Sequence, residues 1–292
     1  MNIKDRIKAL TIKINFVSLY KFIKKYFMRK KTTPYALGAI KDKEDPRDIV
    51  YRVRRYKGLP ESTNKRNIKK FRTRYNQGAL GSCVGHGVVE AYRYVLKTNN
   101  QSDFLASRLF AYYIAREDKD NDTGASIRDA FKAINKFGLC SEKTIPYCIK
   151  KFAIKPSDEA FKEALDHQSI RYERLPHTKE AIKDAVSRGY PVVYGKLIYD
   201  SFMSEEVAES GIVPIPNKEK ETLHGGHCMV IFDYDKDGTI ELNSWGSGWG
   251  MCGTCHVPWE FVLDRTLCMD FWTFYIVEGE SINNNNNQKQ KK

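Results

Sequence analysis

The 292 residues predict an α+β fold, and three features predict it. Apolar residues recur at helical spacing over residues 82–96, 107–116 and 126–137. Beyond residue 147 the pattern turns to strands, over 170–175, 191–199, 227–234, 239–244 and 271–277. Asp235-Lys236-Asp237-Gly238 is a turn that joins two of these strands into a hairpin. Helices first and strands later indicate an α+β architecture or two packed subdomains. A hydrophobic content of 41% with 12% aromatics is ordinary for a globular chain of this length and argues against wholesale disorder.

In chain order, residues 3–28 set Ile3, Ile7, Leu10, Ile14, Val17, Phe22 and Phe27 among many lysines, the pattern of an amphipathic basic helix. Such a helix suits an anionic membrane surface or the protein's own body. Lys30-Lys31-Thr32-Thr33-Pro34 breaks it, and residues 35–56 read as extended, with a charged turn at Asp45-Pro46-Arg47-Asp48. Leu59-Pro60-Glu61-Ser62 marks a boundary, followed by a basic loop to Tyr75. Val84, Val88, Tyr92 and Val95 give the first body helix its apolar face. Leu109, Phe110, Tyr113 and Ile114 do so for the second, and Ile127, Ala130, Phe131 and Ile134 for the third, which Gly138 stops. A further helix over 178–188 ends at Gly189, and residues 281–292 form a low-complexity Asn/Gln/Lys tail.

The net charge of +13 is unevenly placed: residues 1–58 hold 17 Lys/Arg against 5 Asp/Glu, leaving 32 against 31 for the remainder. The basicity belongs to the leading segment, so the overall pI implies no specific nucleic-acid role. Seven cysteines leave at least one unpaired within the chain and suggest no dense disulfide framework. No apolar run approaches the ~20 residues of a membrane-spanning helix, and the leading residues lack the cleavage site of a secretory signal.

The chemistry centres on Gln77-Gly78-Ala79-Leu80-Gly81-Ser82-Cys83, where a small-residue turn delivers a cysteine to the start of a helix. Unpaired N–H groups and the macrodipole there favour a thiolate, so a lowered cysteine pKa is expected. The Gln77 amide is placed to fold back toward the same point. Gly225-Gly226-His227 sets a histidine at the head of an apolar strand, and Asn243-Ser244-Trp245 follows on the partner strand of the hairpin. Pairing brings His227 beside Asn243, which leaves the other ring nitrogen for the thiol.

These residues resemble the papain family of cysteine peptidases, including the cathepsins. Gln77-Gly78…Gly81-Ser82-Cys83, Gly226-His227 and Asn243-Ser244-Trp245-Gly246…Gly248-Trp249-Gly250 match that family's three motifs in order, at separations of 144 and 160 residues from the cysteine. The resemblance covers about residues 59–278. It implies a two-lobed fold, with a helical left lobe (59–165) and an antiparallel β-barrel-like right lobe (166–280). It implies Cys83 as nucleophile, His227 as base and later acid, Asn243 as orienter, and Gln77 with the Cys83 N–H as oxyanion donors. Trp245 shields the His–Asn bond, and Gly124, with Gly81, Ser82 and Gly226, lies along the substrate. No cofactor and no metal are implied, and the substrate is a peptide or protein. Residues 1–58 become a prosegment that inhibits the cleft, with 35–40 the part that crosses it. Val84-Gly85-His86 and Leu80 depart from the family, which usually has an aromatic residue after the nucleophile and a cysteine three before it. Specificity therefore does not transfer, and a common family disulfide is expected to be missing.

Blander readings stand beside these. His86 is expected to be structural, His224 a loop residue, Cys228 core, and Trp249, Trp259 and Trp272 core or interface aromatics. Cys252, Cys255, His256 and Cys268 form half of a zinc pattern, with disulfides or free structural thiols preferred. Asp235 and Asp237 belong to a turn and not to a calcium loop. The alternatives to a peptidase are a catalytically silent binding protein of the same fold and an adaptor that uses the basic N-terminus on membrane or nucleic acid. The asparagine run is associated with AT-rich genomes such as those of large DNA viruses and protists, which leaves a virion or an intracellular setting open.

Overall fold

A computed structural model describes residues 35–276, apart from 55–57, 64–73 and 169. The amphipathic helix expected over 3–28 and the tail over 281–292 lie outside the described residues. Among those described, no helix is long and apolar enough to cross a membrane.

The helical part precedes the sheet. Helix α1 (Cys83–Thr98) is buried along residues 83–96 and is the axis of the structure. Two glycines let it be so. A Cβ on Gly85 would come within 2.9 Å of the Arg108 carbonyl, and one on Gly87 within 2.9 Å of the Cys228 sulfur. The helix thus packs closely on α2 (Arg108–Ala115) on one side and on the sheet on the other. Each glycine costs about 1 kcal/mol of helix propensity, which the close packing offsets. Ser107 caps α2 by accepting from the Phe110 N–H, and Ser126 caps α3 (Ile127–Phe137) by accepting from the Asp129 N–H. Gly138 ends α3 at φ 76°, where a Cβ would overlap the Ala164 carbonyl. A fourth helix, α4 (Asp158–Ala164), follows, capped by Ser157.

Six antiparallel strands form one sheet in the order β3-β8-β4-β5-β6-β7. They are β3 (Ile170–Arg174), β4 (Val192–Tyr199), β5 (Leu223–Tyr234), β6 (Gly238–Leu242), β7 (Thr254–Pro258) and β8 (Cys268–Ile276). Among the described residues the order is open from β3 to β7, and no ring closes. Helices α5 (Lys179–Ser187), α6 (Glu205–Ser210) and α7 (Trp259–Leu263) intervene along the chain. The period-two alternation divides the core. Val193, Cys228, Val230 and Phe232 face the helices with Val84, Val88 and Phe131. Val192, Tyr194, Met229 and Ile231 face the other way, onto Ile182, Trp245 and Trp259. With both faces covered, β4 and β5 read as near-continuous apolar runs. The one charge in β4, Lys196, has no exposed surface and pairs with equally buried Glu241 at 2.7 Å.

The chain ahead of the body is woven into it. Residues 39–40 form β1 (Ala39–Ile40), parallel to β2 (Ala125–Ser126). Further on, the Tyr51 N–H donates to the Arg174 carbonyl at 2.9 Å and the Arg174 N–H to the Ile49 carbonyl at 2.8 Å, so residues 49–51 extend the outer edge of β3. Between these anchors, Asp42, Asp45 and Asp48 meet Arg128 and Arg174 of the body.

Candidate active site

Cys83 is the first residue of α1 and is fully buried. Its turn is pinned by Asp122, whose carboxylate accepts the Gly81 N–H at 2.9 Å, while Tyr112 donates its hydroxyl to the same group. The Cys228 N–H also points at the sulfur, which places the thiol against the His227–Cys228 stretch of β5. His227 and Asn243 lie on the two sides of the hairpin made by β5 and β6. The His227 Nε2–H donates to Asn243 Oδ1 at 2.8 Å, and that oxygen also accepts the Ser244 N–H at 2.8 Å. Nδ1 of His227 has no hydrogen-bond partner among the described residues. The Trp245 ring lies 4.9 Å from the imidazole, over the His–Asn pair. Tautomer and amide orientation follow from this network.

Gln77 is held from both sides. Its Oε1 accepts from the Ser244 hydroxyl at 2.5 Å, its carbonyl accepts from Tyr147, and its Nε2 donates to the Leu80 carbonyl at 2.8 Å and the Ala36 carbonyl at 2.9 Å. Ala36 belongs to residues 35–40, which run through the groove. The Gly38 N–H points at the Cys83 sulfur, the Gly38 carbonyl accepts the Ala125 N–H at 2.9 Å, and Tyr35 stacks on Trp245. Only glycines admit a main chain this close: a Cβ on Gly38, Gly124 or Gly226 would lie within 2.3 Å of the facing carbonyl oxygens of Gly81, Gly38 and Ala39 respectively.

Burial reverses the thiol expectation drawn from the helix terminus. Loss of water pushes Cys83 up to about 11, against the pull of the backbone N–H groups of Cys228, Gly38 and Val84. Burial likewise pushes His227 down to about 4; the Asn243 hydrogen bond opposes this and the charge of Lys196 adds to it. In this covered state the proton stays on sulfur and the imidazole is neutral.

The other candidates take these places. Gly124 (φ +80°) gives its N–H to the Tyr112 hydroxyl and its neighbour Ala125 to Gly38. Ser82 turns inward, its hydroxyl on Tyr147 at 2.7 Å. Gly226 packs under Ala39. His224 sits on Asp200 at the surface. All seven cysteines are free thiols. Cys255 is buried in β7, and the neighbouring His256 meets Asp235, whose carboxylate also accepts the Asp237 and Gly238 N–H groups of the turn. Among the described residues no three His, Cys, Asp or Glu side chains are placed to hold a metal ion. The roles of Asp122, Tyr147 and Ser244 carry no signal of their own in the sequence, although Ser244 lies within the Asn243-Ser244-Trp245 motif. Each acts through a hydrogen bond to a residue more than 30 positions away, and no local pattern announces that.

Comparison with known proteins agrees with this architecture. The pattern of the papain family cysteine proteases matches residues 59–260. An uncharacterized peptidase C1-like protein of Acanthamoeba polyphaga mimivirus is 37% identical over 251 residues, covering 81% of this chain and 78% of that one. Xylellain, a cysteine protease from Xylella fastidiosa, superposes with a TM-score of 0.79 at 30% identity, over 85% of this chain and 98% of xylellain. The digestive procathepsin L 3 of Tenebrio molitor larval midgut superposes at 0.60 with 20% identity, over 79% and 73% of the two chains, a likeness of fold. Fold and relatives together define a cysteine-type peptidase, a hydrolase. The chain belongs to the papain family of cysteine proteases.

Proposed function

We propose that this peptidase is made as a proenzyme and cleaves peptide bonds through Cys83, His227 and Asn243. The carrying observation is that residues 35–40 fill the groove while the His227–Asn243 hydrogen bond is already made, with the Ala36 carbonyl on the Gln77 amide. A substrate would take the place of these residues, its backbone beside Gly124 and Gly226 and its scissile carbonyl toward Gln77. Once the segment leaves and water returns, the penalty on charge at Cys83 and His227 falls, and the proton passes from sulfur to Nδ1. The thiolate then attacks the carbonyl carbon, and the oxyanion is met by the Gln77 amide and the Cys83 N–H. His227 gives its proton to the leaving amine, which breaks the C–N bond and leaves an acyl-enzyme. Water, deprotonated by His227, attacks that thioester; the acid product departs and the thiol is restored. The charge step near residue 58 and the foothold of 35–54 on the body support reading 1–58 as the prosegment.

A thiol-reactive epoxide probe and N-terminal sequencing test this. Expected are self-shortening near residue 60, labelling at Cys83 that follows the shortening, loss of labelling in Cys83→Ala and weakening in His227→Ala. Full labelling in His227→Ala, or a full-length chain as active as a shortened one, would overturn it.

A further inference from the structure

Behind the His227–Asn243 pair lies a small chamber lined by Tyr75, His86, Glu90, Cys228, Asn243 and Ser244, with room for about one water. Four polar atoms of its lining residues are buried and make no hydrogen bond among the described residues: His86 Nε2, both oxygens of Glu90, and Asn243 Nδ2. His86 and Glu90 are four apart on α1 and so share a face.

The atoms are not of one kind. Nδ1 of His86 sits 3.0 Å from the Ser82 carbonyl and donates to it, so its Nε2 is a bare acceptor. Burial and the nearby Arg108 keep that ring neutral, down to about 3. The Glu90 oxygens are acceptors when ionised, and the Tyr75 hydroxyl oxygen already accepts from Arg93 at 2.9 Å. Asn243 Nδ2 is the one amide donor among these atoms. An amide turned end for end would set its oxygen among acceptors and its NH₂ against the His227 N–H, losing both contacts.

Resting on the triad reading above, we infer that Glu90 and His86 are positioning residues for catalysis: their acceptors, joined to Asn243 Nδ2 across the chamber, hold the asparagine with its oxygen toward His227. Glu90 is held there at a cost, since it is a buried carboxyl without a direct hydrogen-bond partner among the described residues. Among the described residues, the cations around it are committed elsewhere. Arg93 is paired to Asp103, Arg108 to Glu142, Lys97 to Asp103, and Arg74 donates to the Cys252 carbonyl. Burial outweighs their pull and brings Glu90 up to about 7, so its protonation changes near neutral pH.

The test is Glu90→Gln in the full chain, allowed to process itself, with turnover counted per epoxide-titrated site. Expected are kcat lower by about five- to tenfold, the worth of one hydrogen bond, with KM unchanged and a melting temperature equal or higher. The wild-type pH profile should carry an inflection near 7 that the variant lacks. In an Asn243→Ala background, Glu90→Gln should change nothing further. An unchanged kcat in the single variant, or the same loss in both backgrounds, would overturn the inference. Failure of the triad reading would show separately, as turnover surviving in Cys83→Ala or His227→Ala.

Discussion

Tyr35 lies flat on Trp245, ring centroids 4.5 Å apart and planes within 4°, and donates its hydroxyl to the Trp245 carbonyl at 3.3 Å. The leading segment thus begins its passage on the same indole that roofs the His227 imidazole. Such a stack is worth about 0.5–1.5 kcal/mol beyond the area it buries. Tyr35→Ala should therefore raise the rate at which a small alkylating reagent reaches Cys83 in the full-length chain by about three- to tenfold, at unchanged global stability. An unchanged rate would mean that the segment opens elsewhere first.

Gly38 is the tightest point of that passage, with a would-be Cβ 1.9 Å from the Gly81 carbonyl oxygen. The neighbour is backbone, two residues before Cys83, and cannot step aside. Gly38→Ala should leave the body folded and keep the segment from seating. On the proenzyme reading proposed above, Cys83 would then be alkylated at a rate close to that of the shortened enzyme, and the chain would shorten itself sooner. A variant as protected as the parent would show that the segment can cross by another path.

Asp42 gives the segment a pH dependence of unusual sign. Burial, and then the Asp270 carboxylate beside it, push it up to about 6, against the pull of the Trp272 indole N–H, the Arg128 N–H and Arg174. An unfolded aspartate titrates near 3.9. The folded chain thus binds the extra proton between about pH 4 and 6. The contribution of Asp42 is full below about 4 and is lost as pH rises through 6. Thermal melts of Cys83→Ala across this range should show Asp42→Asn gaining on its parent as pH rises. If the parent gains instead, the carboxylate is the better fit and the sign is wrong. Asp45, held below the usual carboxylate range by Arg47, acts oppositely at lower pH.

How much of this was readable beforehand follows from where each signal sits. Cys83, His227 and Asn243 are legible as candidates because each has small residues beside it, and glycine-rich turns survive as short local strings. The expectation that residues 35–40 cross the groove rested on the charge step and the Leu59-Pro60 boundary, not on any local pattern in 35–40 itself. Helix α4 was missed although Ser157-Asp158-Glu159 is an N-cap signature, since Ser157 does accept the Ala160 N–H. Strand β7 carries Cys255 and His256, whose ligand-like spacing masks a strand that follows a turn with Cys252 at φ 55°. The chamber behind Asn243 had no such chance. His86 and Glu90 share a helix face, but which groups face them is decided by the closeness of α1 to β5 at Gly87, a tertiary fact.

Lys196 lies directly across the β4–β5 ladder from His227, and its ammonium reaches Glu241 at 2.7 Å with no exposure of either side chain. Glu241 is fully satisfied, for its other oxygen accepts from the Tyr194 hydroxyl at 2.5 Å and the Thr239 hydroxyl at 2.7 Å. Removing one charge leaves the other stranded, which costs about 3–5 kcal/mol, whereas replacing a whole buried pair by apolar groups is often neutral. Glu241→Gln should therefore lower the urea midpoint sharply, and Lys196→Met with Glu241→Leu should recover most of it, short of what the orphaned Tyr194 and Thr239 hydroxyls cost. The pair has a second role that this double variant isolates. Lys196 holds His227 down by its charge, so in the uncovered enzyme the pH at which Cys83 alkylation becomes slow on acidification should move upward when the pair is replaced. A stable double variant with an unshifted profile would assign the pair to folding alone.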